Sequence, residues 1–396
     1  MNATTLAPRG FSFATLASAM RYTNRDDLAL IVSDRPAAGA GVFTKNRFQA
    51  APVIVAAENL NNSDTIRAFL VNAGQANACT GDEGLADCRE TLRLASSELG
   101  ITPGEILPAS TGVVGAKLRM DLWRTALPAL VARLGQAQPT DAAKAIMTTD
   151  AFPKIAQAQL AIDGHTVRLF GMAKGAGMIC PNMATMLAFV LCDAQIEASR
   201  WRDMLAHAVL ASFNAVTVDG DTSTNDCVLA MANGASGVTV DSASHAALAQ
   251  ALTKLCQSLA AMVVEDGEGA TKVMRIRVTG AKTSAQAETC ARTVGHSPLV
   301  KTAMFGQDAN WGRIVVAIGR SSADFDPSLV TVSLCGIPVF EKGEPVPGDL
   351  DSLLKPRMRK PEIAIDIDLA AGPGTYTLLA SDLSVGYVKL NADYRS

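Results

Sequence analysis

Apolar and polar positions follow a two-residue period in some stretches of this chain and a three-to-four-residue period in others. Strand-like runs occur at 28–33, 68–71, 166–170 and 185–191, then at 274–278, 314–318, 363–367 and 376–379. Arg275 and Arg277 interleave with apolar neighbours, which predicts a strand with one wet face. The 185–191 run, TMLAFVL, is apolar on both faces and belongs inside a sandwich. Leu248, Leu252, Leu255, Leu259 and Met262 recur at helical spacing after the capping candidates Asp241, Ser242 and Ser244. Further helices are predicted over 199–213 and 84–99. Strands and helices mixed in no strict order predict a layered α/β sandwich, not a regular βαβ repeat. The polar, Pro-rich stretch 341–360 reads as a surface excursion.

Composition narrows the classes of function. Hydrophobic residues make up 48% of the 396 positions and charged residues 18%, so there is material for a large core and little for disorder. The net charge is −3 and no basic run is long enough to track a phosphate backbone, which argues against nucleic acid. The densest basic cluster, KPRMRK at 355–360, reads as a solvated loop. The eight cysteines form no CxxC pair and read as reduced, mostly buried thiols. The N-terminal segment lacks the pattern of a signal peptide, and no apolar run reaches membrane-spanning length. The expectation is a soluble cytoplasmic protein without a membrane partner.

The familiar catalytic devices are missing from the sequence. The histidines are His165, His207, His245 and His296, two of them in helical patterns, and there is no HExxH, no GxSxG and no Walker-type GxxxxGK[ST]. No His/Cys cluster suggests a metal, and none is expected, nor is a cofactor. One segment offers a different chemistry. A glycine-rich, Pro-interrupted loop delivers Thr185 to the start of the buried 185–191 strand. Taken alone, Thr185 is an ordinary β-branched residue opening a strand. A strained Ala184–Thr185 bond, however, would let the hydroxyl attack the preceding carbonyl. Hydrolysis of the resulting ester then leaves Thr185 with a free α-amine beside its hydroxyl. Such an amine titrates near pH ~8 and supplies the base that a Thr nucleophile needs.

KGAGMICPNMATMLAF (174–189) resembles the signature of the ornithine acetyltransferase (glutamate N-acetyltransferase) family, which is cleaved before the Thr of ATM. Other blocks resemble the same family in order along the chain: GVFTKNRFQAAPV (41–53), VNAGQANACTG (71–81), STGVVG (110–115) and MTTDAFPK (147–154). DGDTSTND (219–226), EDGEGATK (265–272), LVKTAMFGQDANWGRI (299–314) and NADYRS (391–396) complete the series. Ala176, Cys180 and the terminal Ser depart from the family pattern. The expected fold is then α/β, a layered α-β-β-α type sandwich with a smaller C-terminal α/β subdomain.

The resemblance implies roles residue by residue. Thr185 is the nucleophile and Ala184–Thr185 the cleavage site, giving fragments 1–184 and 185–396. Thr111 and Gly112 form the oxyanion hole, where a hydroxyl and a backbone N–H can point at one developing charge. Lys174 offers a cation to the substrate carboxylate, and Thr148, with Thr149 as its close rival, touches substrate. Glu268, with Glu265 as the fallback, meets a substrate ammonium through a backbone its flanking glycines leave mobile. Asn391 and Ser396 are C-terminal substrate contacts. The implied reaction moves acetyl from N-acetylornithine to glutamate through an acetyl-Thr185 ester, with acetyl-CoA open as a further donor. The implied assembly is an α2β2 heterotetramer of the two fragments. A related N-terminal-nucleophile aminopeptidase or amidohydrolase, and a non-enzymatic binding protein, stay open as alternatives.

Overall fold

The architecture turns on one long strand in the computed structural model, which describes residues 7–180 and 186–393. β1 (Phe11–Leu16) lies antiparallel to the start of the 16-residue β2 (Leu28–Phe43). β3 (Thr65–Gln75) pairs antiparallel with β2, and β4 (Ile106–Val113) pairs parallel with β3. The β2–β3 register shifts between Val32 and Ala37. Beyond it, Ala38 to Phe43 pair with a new neighbour, the strand Cys227–Ala232. The remaining strands follow from there: β5 (Lys154–Ile162), β6 (His165–Lys174) and β7 (Leu187–Cys192), in the spatial order β7-β6-β5. A single hydrogen-bonded sheet of eight strands thereby folds over on itself.

Period-two alternation explains why this gives four layers. Ala29 and Ile31 point into the core between the two halves, together with Phe69, Phe170 and Phe189. Phe13 meets Phe170 edge to face at 6.3 Å, and Phe69 meets Phe189 at 5.4 Å. Leu28, Leu30 and Val32 point the other way, into the helices Gly81–Leu99 and Met120–Ala132. The helix Ser242–Glu265 lies on the second half at Gly171, where a Cβ would stand 2.6 Å from Leu255 and 2.8 Å from Leu259. Glycine allows that approach without displacing either leucine side chain. The α-β-β-α sandwich expected from the sequence is the one that forms.

Ser242–Glu265 is also, among the described residues, the one helix long and apolar enough to cross a membrane by length and composition, which the sequence reading does not anticipate. Its Leu248, Leu252, Leu255 and Leu259 are buried in the protein, as in a core helix. β7 is buried at all six positions, in keeping with its unbroken apolar run.

The described residues divide into two compact units, the first of residues 7–214 and 221–263, the second of residues 215–220 and 264–393. The second is built on a seven-stranded sheet. Its strand Val273–Ala281 buries Met274, Ile276 and Val278 under helices and leaves Arg275 and Arg277 exposed, as predicted.

Two expectations need correction here. Residues 314–318, expected as a strand, belong to the helix Trp311–Gly319. Asn310 caps it by accepting from Arg313 N–H at 3.2 Å, and Ile314, Ala317 and Ile318 share the buried face while Val316 is 65% exposed. That is helical spacing, and it outweighs the strand preference of Ile and Val. The second concerns 341–360, which is not all loop. The helix Leu350–Met358 takes in Lys355 and Arg357 of the basic cluster and anchors itself by Leu354 and Met358.

Candidate active site

Thr111 and Gly112 lie near the end of β4, beside Ala73 and Gly74 of β3. Gly112 adopts φ +132°, and a Cβ there would lie 2.2 Å from the Gly74 carbonyl carbon. The position admits no side chain. Lys174 ends β6, on the other half of the folded sheet, and its Nζ donates to Thr111 Oγ1 at 3.1 Å. Both side chains are buried. Because Thr111 Oγ1 accepts from the ammonium, its own proton is available to a third group and is made more acidic by the adjacent charge. The structure thus brings two of the expected site residues, Thr111 and Lys174, into direct contact.

A carboxylate that sequence reasoning did not assign holds this corner together. Asp150 Oδ1 accepts from Lys154 Nζ at 2.6 Å and from Gly175 N–H at 2.6 Å, while Oδ2 accepts from Thr148 N–H at 2.9 Å. Neither side chain of the Asp150–Lys154 pair has any solvent exposure. Burial pushes the Asp150 carboxyl up, but the Lys174 and Lys154 cations and its hydrogen bonds outweigh burial and hold it at about 2. Thr148 is half-buried under this clamp, and its rival Thr149 is exposed.

The segment 222–226 closes the other side. Asn225 Nδ2 donates to the carbonyls of Ala76 and Ser110, at 2.6 and 2.9 Å, fixing the backbone just before Thr111. Asp226 Oδ1 accepts from Met186 N–H at 3.0 Å, and Met186 O accepts from Cys227 N–H. Burial drives the Asp226 carboxyl well above its ordinary range, opposed by the Met186 N–H and the Lys174 charge.

Lys174 pairs with Leu187 across the β6–β7 hairpin, so the loop between them starts and ends at this rim. Ala184 and Thr185 lie in that loop but outside the described residues, as does Ser396 at the C-terminus. Glu268 and Asn391 belong to the second unit, where Asn391 Nδ2 donates to Glu268 Oε2 at 3.0 Å. Gly269 takes φ +67°, and a Cβ there would stand 2.2 Å from Tyr387 N, so this glycine serves close packing. Glu265 is exposed.

The family model described as the ArgJ family matches residues 12–396. The chain belongs to the ArgJ family. It is 60% identical to the arginine biosynthesis bifunctional protein ArgJ of Nitratidesulfovibrio vulgaris, over 98% of this chain and 99% of that one. Identity to the protein of the same name from Geobacter sulfurreducens is 47%, over 98% and 99%. Among solved structures, the ArgJ of Bacillus halodurans is 36% identical with a TM-score of 0.50, covering 52% of this chain and 98% of that chain.

Within this ArgJ-family chain, Asp150, Lys154, Asn225 and Asp226 are the polar residues that sequence reasoning left without a role. Each stands inside a block that resembles the family. The available signal was an Asp and a Lys four apart in MTTDAFPK and an Asn-Asp pair opening an apolar strand. Neither pattern says which backbone groups the side chains reach.

Proposed function

We propose that the chain is an N-acyltransferase of arginine biosynthesis that moves acetyl from N-acetylornithine to glutamate by a ping-pong mechanism. The observation that carries this reading is the Lys174–Thr111 contact at the rim of the β6–β7 hairpin, in a chain of the ArgJ family. A cation and a polarised hydroxyl sit together where the loop carrying Ala184–Thr185 begins and ends.

The chain first cuts itself between Ala184 and Thr185, by attack of the Thr185 hydroxyl on the preceding carbonyl and hydrolysis of the ester. In turnover the freed α-amine accepts the hydroxyl proton as Thr185 oxygen adds to the acetyl carbonyl. Thr111 and Gly112 stabilise the oxyanion. The C–N bond breaks, the proton passes to the departing nitrogen, and ornithine leaves. Glutamate nitrogen then attacks the acetyl-Thr185 ester and departs as N-acetylglutamate. Lys174 and Thr148 bind substrate, and Glu268, Asn391 and Ser396 supply further contacts. Acetyl-CoA serves as an additional donor, which fits the bifunctional naming of the relatives. The fragments 1–184 and 185–396 assemble as α2β2 in the cytoplasm. The length of the Bacillus halodurans chain supports a cut chain, since it matches just over half of this one.

Intact-mass measurement tests the reading. The purified protein is expected as two pieces, the second beginning Thr-Met-Leu, and Thr185→Ala as one uncut chain with transfer reduced more than about a thousandfold. A Thr185→Ala chain that is cut and turns over normally sinks the mechanism. Ornithine release at the same rate with and without glutamate would instead indicate an amidohydrolase.

A further inference from the structure

The second unit holds a cavity of about 390 Å³ that none of the expected site residues lines. Its volume falls in the range of small-molecule sites, about 300–1,000 Å³. Val315, Ile318, Phe325, Val330 and Phe340 give it an apolar wall. Ile318, Val330 and Phe340 are buried. Phe340 also stacks on Trp311, with ring centroids 5.6 Å apart and planes at 27°. Protein interiors are close-packed as a rule, so a gap of this size between aliphatic and aromatic side chains calls for a reason. The rim of the cavity is charged. Lys342 and Glu344 line it too, on the hairpin that joins the strands Ile337–Glu341 and Glu344–Pro345. Lys342 and Gly343 take φ +49° and +80°, the left-handed pair of a tight hairpin turn. Such a turn selects Asn, Asp or Gly at its first position, not Lys. The tip is held onto the facing segment: Gly343 N–H donates to Val330 O at 3.4 Å, and a Cβ on Gly343 would lie 2.9 Å from Ser328 Cα. Lys342 and Glu344 are exposed and, among the described residues, form no ion pair with each other or with a third group.

We propose that this cavity binds a free α-amino acid with an apolar side chain. Lys342 takes its carboxylate, Glu344 its ammonium, and the wall of Phe325, Val330 and Phe340 its side chain. A free amino acid carries both charges on one carbon, and two opposite charges flanking a single glycine meet that pattern at one spot. A segment of a partner protein would bring an apolar side chain without the charge pair. A basic amino acid such as ornithine would press its side-chain ammonium into an apolar wall, which is costly. The cavity therefore selects against the substrate proposed for the acyl transfer, and the site stands independently of that reaction.

Trp311, stacked on the cavity wall, reports occupancy without turnover. The other tryptophans, Trp123 and Trp201, are buried in the first unit, and a Trp311→Phe chain subtracts their signal. The full-length protein is titrated with L-leucine, L-phenylalanine and ornithine, and with two trimmed probes: N-acetyl-L-leucine, which lacks the ammonium, and L-leucinamide, which lacks the carboxylate. Leucine and phenylalanine are expected to change Trp311 emission saturably, and ornithine to leave it unchanged. Each trimmed probe should bind at least about tenfold more weakly than leucine, the loss of one charge-assisted hydrogen bond. Lys342→Gly suits the left-handed turn and Glu344→Gln keeps the side-chain size, so each should weaken leucine binding by a similar factor at an unchanged melting temperature. Should either variant melt early, the trimmed probes on the wild-type chain decide. Equal affinity for leucine and its trimmed probes overturns the proposal, as does the lack of a saturable response at about 10 mM. A Trp311 signal that follows protein concentration and ignores amino acids overturns it in favour of a second copy in the cavity.

Discussion

Asp150 and Asp226 are two buried carboxyls that feel the same Lys174 charge and end in opposite states. Asp150 has every need met: a buried ammonium, two backbone N–H groups and a second cation nearby. Its ionised form is the stable one. Asp226 has hydrogen bonds from Met186 N–H and from Ser223 but no ammonium bonded to it, so burial wins and its neutral form is favoured. Burial alone thus predicts neither state; whether a cation is hydrogen-bonded to the carboxyl decides. The first arrangement reads as a finished structural clamp on Thr148 and on the Lys174–Gly175 backbone.

The largest expected effect is the loss of the clamp. Asp150→Ala strands the Lys154 ammonium in a site with no solvent and frees two N–H groups, and should cost about 3–5 kcal/mol in urea unfolding. A cost under about 1 kcal/mol would break the contrast. The pH dependence comes next. Asp150 has its folded pKa below the unfolded value, so its contribution of about 2 kcal/mol is present above pH 4 and is lost as pH falls towards 2. Asp226 has its folded pKa raised, so its contribution is fully present below the unfolded value and declines as pH rises. Melting curves of the uncut Thr185→Ala chain from pH 7 to 2 should therefore lose an acid-range slope with Asp150→Asn and gain no new one with Asp226→Asn. The smallest effect sharpens the comparison most. In the uncut background Asp226→Asn should be neutral or stabilise by up to about 1 kcal/mol at pH 7, because it removes an unsatisfied acid.

Much of the framework was legible in the sequence because its signals are local. The alternation around Arg275 and Arg277 and the leucine spacing of 248–259 each identify an element and its buried face. The run 314–318 was misread because five β-branched or small apolar residues carry no period of their own; Asn310 and the tertiary packing supply it. Within the site, Thr111 and Lys174 were found through the blocks they stand in, and the structure adds their contact. Asp150 and Asp226 were passed over for a physical reason. A carboxyl's role depends on donors from distant segments, and neither Gly175 N–H nor Met186 N–H is visible as a partner from spacing. The bend in β2 was equally hidden, since one continuous apolar strand does not announce that its two halves serve different layers.

The hairpin register has a consequence for any cut at residue 185. Leu187 to Cys192 remain zipped to Leu169 to Lys174 on one side and to Cys227 to Ala232 on the other. The two pieces would be interleaved through the middle of a single sheet, so dilution should not part them. Separating them would mean dismantling the sandwich, and pieces made apart would have to fold around each other to recover it. For this architecture, genes split at that point would have to be expressed together.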